Sequence, residues 1–323
     1  MQHPANLYSL VADIGGTNTR VALAEGRKLV EGTVRRYSNA DFPGLETVLR
    51  RYIADEGGVD PRAACVAVAG PVRDGRATMT NLDWAIDKDT LRRATGAEGV
   101  DILNDLQAQG HALGHIDPAN IHTIIPFPAA QPNATRLVVG VGTGFNAAPV
   151  FDGPTGRLVA ASESGHVNLP VRDATDLRLC AYIETLHGFP AVEDVLSGRG
   201  LERVYAWLCD EAGTPREVAA QDIMSACAAG SDPRATEAAH VFSRMLGTVT
   251  GNLALIQLPF GGVYLVGGVA RAFAPYLNDF GFVGAFLDKG RFAGFMGNFG
   301  VGVIEDDYAA LTGCAAHLVA MLG

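Results

Sequence analysis

Hydrophobic residues fall along this chain in two rhythms. Short unbroken apolar runs end in glycine-rich or polar clusters, as buried strands do, while other stretches space their apolar residues three and four apart, as amphipathic helices do. Leu7 to Ile14 is the first run. It ends in Gly15-Gly16-Thr17-Asn18, and Arg20 to Ala24 follows as a second strand, so the pattern predicts a hairpin with a glycine-rich turn. Pro43 to Glu56 carries Leu45, Val48, Leu49, Tyr52 and Ile53 at helical spacing. Ala64 to Val68 is a short buried strand ending near Gly70-Pro71. Asp87 to Thr95 is a helix with an aspartate at its cap, and Val100 to Leu103 is a strand that runs into Asn104-Asp105.

A second round then begins. Leu137 to Val141 is a strand ending in Gly142-Thr143-Gly144, and Ala147 to Phe151 continues after the turn. Strand, glycine turn, strand thus occurs twice, near residues 10–24 and 137–151, which predicts an internal structural duplication. Val241 to Leu258 reads as an apolar helix in which Gly247 and Gly251, four apart, allow another backbone to pack closely. A buried strand over 262–266 leads to Gly267-Gly268, and a last helix runs from Tyr308 to Leu322 behind a possible cap at Asp306-Asp307. Strands alternating with helices predict an α/β fold. The chain has 323 residues, and at roughly 100–200 residues per domain it should form two domains.

Composition narrows the class. Hydrophobic residues make up 48% and charged residues 19%, enough apolar surface for two cores. The formal net charge is −10 and no basic stripe is visible, which opposes a nucleic-acid or anionic-membrane partner. A local glycine loop can still hold phosphate in an acidic protein. The five cysteines, Cys65, Cys180, Cys209, Cys227 and Cys314, are scattered without a CxxC, so reduced, mostly buried thiols are expected rather than disulfides or structural zinc. No basic, signal-like segment precedes Leu7. Met245 to Ala270 lacks charge over a length that could span a bilayer, yet Thr248, Thr250, Asn252, Gln257, Pro259 and several glycines interrupt it. A buried helix, a turn at Pro259-Phe260-Gly261 and a buried strand fit it better.

Three glycine turns carry candidate chemistry. In Asp13-Ile14-Gly15-Gly16-Thr17-Asn18, a strand delivers an aspartate to its tip and two glycines let backbone N–H groups approach an anion. An aspartate beside phosphates needs an intervening cation, so its role would be to hold water on Mg²⁺. An ordinary hairpin turn reads equally well from these residues alone. Gly142-Thr143-Gly144 repeats the logic, and Gly267-Gly268 is either a third such turn or a simple helix entry. Asn104-Asp105 at a strand end can cap the following helix or present a base to an attacking hydroxyl. Glu163 and His166, three apart, are either a surface turn or a hydroxyl-binding pair, and Glu193 by itself reads as a solvated helix charge. No third ligand suits a transition-metal site with Glu163 and His166, and no GxSxG elbow supports a hydrolase.

The order of these motifs resembles the two phosphate segments and the adenosine segment of the actin and sugar-kinase superfamily. More closely, the chain resembles the bacterial glucokinase family through VADIGGTNTRVAL, VAVAGPV, MTNLDWAI, ILNDLQA, GVGTGFNAA, ESGHVNLP, VEDVLSGRGL, TGNLAL, GGVYLVGGVA and FLDKGRF. The cysteine-rich zinc motif of the ROK sugar kinases is absent, which places the resemblance with the zinc-free, non-ROK group. The resemblance implies two ribonuclease-H-like (actin-like ATPase) α/β domains flanking a cleft: a small one over 1–110 plus 307–323 and a large one over 111–306.

It further implies a cytoplasmic, homodimeric, ATP- and Mg²⁺-dependent glucokinase that phosphorylates the 6-hydroxyl of glucose, with sugar-driven closure to exclude water. ATP and phosphate would meet Asp13, Gly15, Gly16, Thr17, Asn18, Gly142, Thr143, Gly144, Gly267 and Gly268. Asp105 would be the base, and Asn104, Asp105, Glu163, His166 and Glu193 would bind sugar. A kinase for mannose or an N-acetylhexosamine, and a silent sugar-binding regulator, are the alternatives. Two departures stand out. Ser162 and Ser164 replace usual glycines in the sugar loop, stiffening it. Asn146 replaces the last glycine of the second phosphate loop, where it is expected to keep a positive φ and donate its amide to phosphate.

Overall fold

The computed structural model describes residues 7–79 and 82–323; Thr80 and Asn81 of the MTNLDWAI segment lie outside them. The chain groups into two compact units. One comprises the described residues up to Pro118, together with Pro154–Val159 and Asp306–Gly323. The other comprises Ala119–Gly153 and Ala160–Glu305.

The sheet of the first unit runs in the order Lys28–Leu29, Asn18–Glu25, Ser9–Ile14, Ala63–Val68, Gly99–Asn104, with Arg35–Ser38 also paired to Asn18–Glu25. Ser9–Ile14 is antiparallel to its hairpin partner and parallel to Ala63–Val68, which is parallel to Gly99–Asn104. Period-2 alternation sends residues to two faces. Leu10, Ala12, Ile14, Ala64, Val66 and Val68 join Val48, Leu49 and Tyr52 of helix Leu45–Asp55 and Leu91 of helix Lys88–Thr95. Val11, Ala22, Cys65 and Ala67 meet Leu311, Cys314, Ala315 and Leu318 of helix Ala309–Leu322. Burial on both faces explains why Ala63–Val68 is apolar at every position. Full burial of Leu311 and Leu318 stabilises this face by about 1.5–3 kcal/mol each. Asp87 caps its helix as expected, its Oδ1 accepting from the Thr90 N–H at 2.7 Å.

In the second unit the order is Ile121–Ile125, Val301–Ile304, Val263–Val266, Arg136–Val141, Phe145–Gly153. Arg136–Val141 is antiparallel to Phe145–Gly153 and parallel to Val263–Val266, which is parallel to Val301–Ile304. The hairpin followed by two parallel strands repeats the pairing of the first sheet, so the duplication read from the glycine turns is a duplication of topology. Helices pack on this sheet around Val139, Leu201, Val204, Phe242, Leu246 and Leu265.

The longest helix is Pro233–Gln257, which starts well before Val241 because Asp232 accepts from the Arg234 N–H and Pro233 suits the first turn. A side chain at Gly251 would press on the Phe286 carbonyl of helix Phe282–Leu287, 2.7 Å away, so close helix packing accounts for that glycine. The charge-free stretch resolves into the end of this helix, a left-handed residue at Leu258 and the strand Val263–Val266. No helix among the described residues is long and apolar enough to cross a membrane. The last helix spans Ala309–Leu322, with Asp306 accepting from the Tyr308 N–H. All five cysteines are free thiols; Cys180 is half-buried and the other four are buried.

Candidate active site

In the first unit, the hairpin register sets Asp13 opposite Arg20 and Ile14 opposite Thr19, leaving Gly15 to Thr17 as the turn. Gly16 and Thr17 are exposed. The turn closes through the Gly15 N–H, which donates to the Asn18 carbonyl at 3.0 Å. Buried Asn39 then pins it from outside. Its side-chain amide donates to the Gly15 carbonyl at 2.8 Å, its Oδ1 accepts from the Thr19 hydroxyl at 2.8 Å, and its N–H donates to the Thr17 carbonyl at 2.9 Å. Asn39 went unnoticed in the sequence, where it stands in an unremarkable polar stretch with no periodicity.

Among the described residues Asp13 faces one cation, Arg20, at 3.7 Å. Burial raises the Asp13 carboxyl above the usual range, and Arg20 only partly opposes that. A carboxylate this incompletely neutralised, beside a turn of exposed backbone, fits the neighbourhood of a hydrated divalent cation.

Strand Gly99–Asn104 delivers the second cluster. Asn104 is the cap of helix Asp105–Ala112: its Oδ1 accepts from the Gln107 N–H at 2.6 Å, and Gln107 Oε1 accepts from the Asn104 N–H at 3.1 Å. Capping therefore falls to Asn104, and Asp105, at the first helical position, is released from it. The Asp105 carboxylate accepts from the Leu106 N–H at 2.8 Å and reaches solvent. Crowding by protein raises its pKa to about 6. Leu106 opposes the rise, and the negative charge of Asp13 adds to it. The same Gln107 donates through Nε2 to the Val159 carbonyl at 3.1 Å, and Arg157 donates to the carbonyls of Gly110, His111 and Leu113 at the other end of the helix. The helix that carries Asp105 is thus fixed at both ends by residues the sequence did not mark.

The second unit gathers most of the remaining candidates. Gly142-Thr143-Gly144 is the turn of its hairpin, closed by the Gly142 N–H on the Gly144 carbonyl at 2.9 Å. Glu193 is half-buried against it and is not a solvated helix charge. Its Oε2 accepts from the Phe145 N–H at 2.9 Å, and a side chain at Gly144 would stand 2.5 Å from that oxygen. Gly165 lets the Ser164–His166 turn sit on the Phe145 carbonyl, where a Cβ has no room. Glu163 and His166 are both exposed, 3.9 Å apart. Gly267, at φ 104, abuts the Val141 carbonyl, and Gly268 opens helix Gly268–Phe273. The helix-entry reading of this pair is therefore correct, and it also brings the pair beside the second glycine turn.

A cavity of about 400 Å³, lined by Gly198, Leu201, Met224, Gly268, Val269 and Tyr276 among others, adjoins these residues. The Gly198 N–H donates to the Gly142 carbonyl at 2.9 Å, tying the cavity to the turn. Its walls come from three separate helices, so no local motif announces it.

Asn146 is the correction. It lies in strand Phe145–Gly153 opposite Gly140. The only non-glycine residues with positive φ among those described are Asp74 and Leu258. Strand pairing keeps Asn146 extended, and its amide protons are taken up by the Ser162–Glu163 segment: Nδ2 donates to the Ser162 carbonyl and lies 3.3 Å from Glu163 Oε2.

Comparison with known proteins gives this arrangement its family. The glucokinase family model matches residues 10–321. The glucokinase of Saccharophagus degradans is 35% identical over 316 residues, covering 96% of this chain and 97% of the relative. That of Brucella abortus is 34% identical over 308 residues, covering 95% and 90%. Among solved structures, a glucokinase from an Antarctic psychrotroph superposes with a TM-score of 0.87 at 30% identity, covering 97% of this chain and 98% of that one. The Balamuthia mandrillaris glucokinase shares the fold, with a TM-score of 0.80 at 24% identity and coverage of 98% and 94%. The chain belongs to the glucokinase family.

Proposed function

We infer that this chain is a glucokinase, moving the γ-phosphoryl of ATP to the 6-hydroxyl of glucose to give glucose 6-phosphate and ADP. The observation that supports this best is Asp105: a carboxylate freed from capping duty, held at a helix start, with its pKa raised to about 6, in a chain whose near-full-length relatives are glucokinases. A base of that strength is ionised at neutral pH and still able to take a proton from a sugar hydroxyl as it attacks. Asn104 Oδ1 is spent on the cap, which leaves its amide N–H groups to donate to the sugar. Glu163, His166 and Glu193 bind further hydroxyls, Glu193 with the oxygen that Phe145 does not use.

The exposed backbone of Gly15 to Asn18 and of Gly142 to Gly144 holds the phosphates. Gly267 and Gly268 admit the nucleoside, whose base occupies the apolar cavity beside Tyr276. Asp13 would hold water on Mg²⁺, which supplies charge neutralisation for the transferred phosphoryl group. We assign functional domains over 1–110 plus 307–323 and 111–306, a homodimer, and the cytoplasm. An ADP-release assay over glucose, mannose and N-acetylglucosamine, with alanine variants at Glu163, His166 and Glu193, tests the reading. Glucose should give the highest kcat/KM, and each variant should raise the sugar KM while moving the ATP KM little. Equal rises in both constants, or no ADP release with any sugar, would refute it.

A further inference from the structure

The side chains of Asn146, Ser162 and Ser164, the three departures from the resembled motifs, meet. Asn146 Oδ1 accepts from the Ala147 N–H at 2.8 Å and the Ser164 N–H at 3.0 Å, with the Ser162 and Ser164 hydroxyls each 3.1 Å away. The Ser162 hydroxyl has a single proton and a shorter bond, to the Ala147 carbonyl at 2.5 Å. Two N–H donors and the Ser164 hydroxyl therefore converge on Oδ1 and fasten the loop. On the other end of the amide, Nδ2 has two protons, one for the Ser162 carbonyl and one directed at Glu163 Oε2.

We propose that Asn146 is a positioning residue for the sugar, holding the loop through its Oδ1 and orienting the Glu163 carboxylate through its Nδ2, so that the three departures act as one device on hexose affinity. This rests on the reading that Glu163 binds glucose. Glu163 needs such a device because its side chain is 69% exposed and its distance from His166, 3.9 Å, is too long for a hydrogen bond. A glutamate free to rotate loses rotamer freedom when it binds a ligand, and a pre-set one does not. Where glycines give a loop its shape through backbone freedom, this chain gives it shape through side-chain bonds.

The two ends of the amide can be separated. Asn146→Asp keeps an acceptor for the Ala147 and Ser164 N–H groups and replaces the donor with an oxygen facing Glu163. The charged or titratable groups around that pair are Glu163 itself, His166 at 3.9 Å from it, and Glu193 bonded to the neighbouring Phe145 N–H. His166 and Glu193 are present in both proteins, so the difference between variant and wild-type profiles isolates the new carboxylate. At pH 8 two facing carboxylates repel, and the glucose KM of the variant should rise about tenfold over wild type, with the ATP KM within about twofold. As pH falls toward 5.5, one of the pair takes up a proton and donates again, so the glucose KM should recover toward wild type.

Asn146→Gly removes both ends and should raise the glucose KM at every pH without recovery. It also serves if the aspartate variant does not fold. A glucose KM within twofold of wild type at pH 8 in the aspartate variant, or in the glycine variant where only that one folds, overturns the proposal, as does a change confined to the ATP KM. Glu163→Ala run alongside separates the two levels. If that variant raises the glucose KM and the Asn146 variants do not, only the present inference falls. If Glu163→Ala leaves the glucose KM unchanged, the reading of the sugar site falls with it.

Discussion

Lowering the pH through 6 should switch off this enzyme at one carboxylate. Asp105 sits at the first position of helix Asp105–Ala112, where crowding and the charge of Asp13 lift its pKa from 3.8 to about 6 against the Leu106 N–H. At pH 5 a group titrating near 6 is ionised in about one molecule in ten, whereas an ordinary aspartate would be ionised in about nine of ten. A neutral Asp105 cannot accept the proton of the attacking hydroxyl. The kcat/KM for glucose should therefore fall about tenfold between pH 7.5 and pH 5, with its midpoint near 6.

Asp105→Asn should lose about 10²–10⁴-fold in kcat while still binding glucose, as followed by calorimetry, and its residual rate should lack that acid limb. Stability moves the other way. The folded state binds the extra proton, so the ionised carboxylate costs stability at pH values above 6, and the cost fades as pH falls from about 6 to 3.8. The asparagine variant should then melt above wild type at pH 7.5, by an amount reduced because Asp105 reaches solvent, and level with it near pH 3.8. An acid limb centred near 4, or an asparagine variant within about threefold of wild-type kcat, would refute this account of the base.

Asn39→Ala strips two side-chain bonds from the first glycine turn and orphans the buried Thr19 hydroxyl. It should lower stability by about 1–3 kcal/mol and raise the ATP KM, and an unchanged ATP KM would leave Asn39 purely structural. Gln107→Leu removes half of the capping box and the bond to the Val159 carbonyl. Denaturant titration should show a loss of about 1–2 kcal/mol, and kcat should fall more than either KM because Asp105 is displaced. Gly267→Val places a branched side chain at φ 104, where a Cβ already lies 2.5 Å from the Val141 carbonyl. A lower Tm with a raised ATP KM is expected, and wild-type nucleotide kinetics would exclude Gly267 from the nucleotide site.

What the sequence disclosed was local. The turns at Gly15-Gly16 and Gly142-Gly144, the strand behind each and the capped helix at Asp87 follow from neighbours in the chain, and the repeated hairpin disclosed the repeated sheet. Asn39, Arg157 and the reach of Gln107 to the Val159 carbonyl could not be found that way, although the pairing of Gln107 with Asn104, three residues apart, is itself a local signature. The distant partners lie at separations such as 24, 52 and 47 residues, and polar side chains that reach that far leave no periodic trace. Asn146 was misread for a related reason. The glycine it replaces in the resembled motif suggested a left-handed residue, but pairing with Gly140 extends the strand through it and turns its amide toward Ser162. Glu193 looked solvated because the backbone N–H it accepts from is 48 residues away.

The first unit is also split in the order of synthesis. Its sheet is complete once Asn104 has been made, but the face bearing Val11, Cys65 and Ala67 is covered by Leu311, Cys314 and Leu318, which leave the ribosome about 200 residues later. At roughly 5–20 residues per second, that face waits on the order of ten seconds or more without its cover. The second unit needs only residues between Ala119 and Glu305 and can finish earlier. The nascent chain therefore ripens in reverse, with the half begun first closing last. A chain stopped before residue 306 would present an apolar sheet face to chaperones and to other copies of itself.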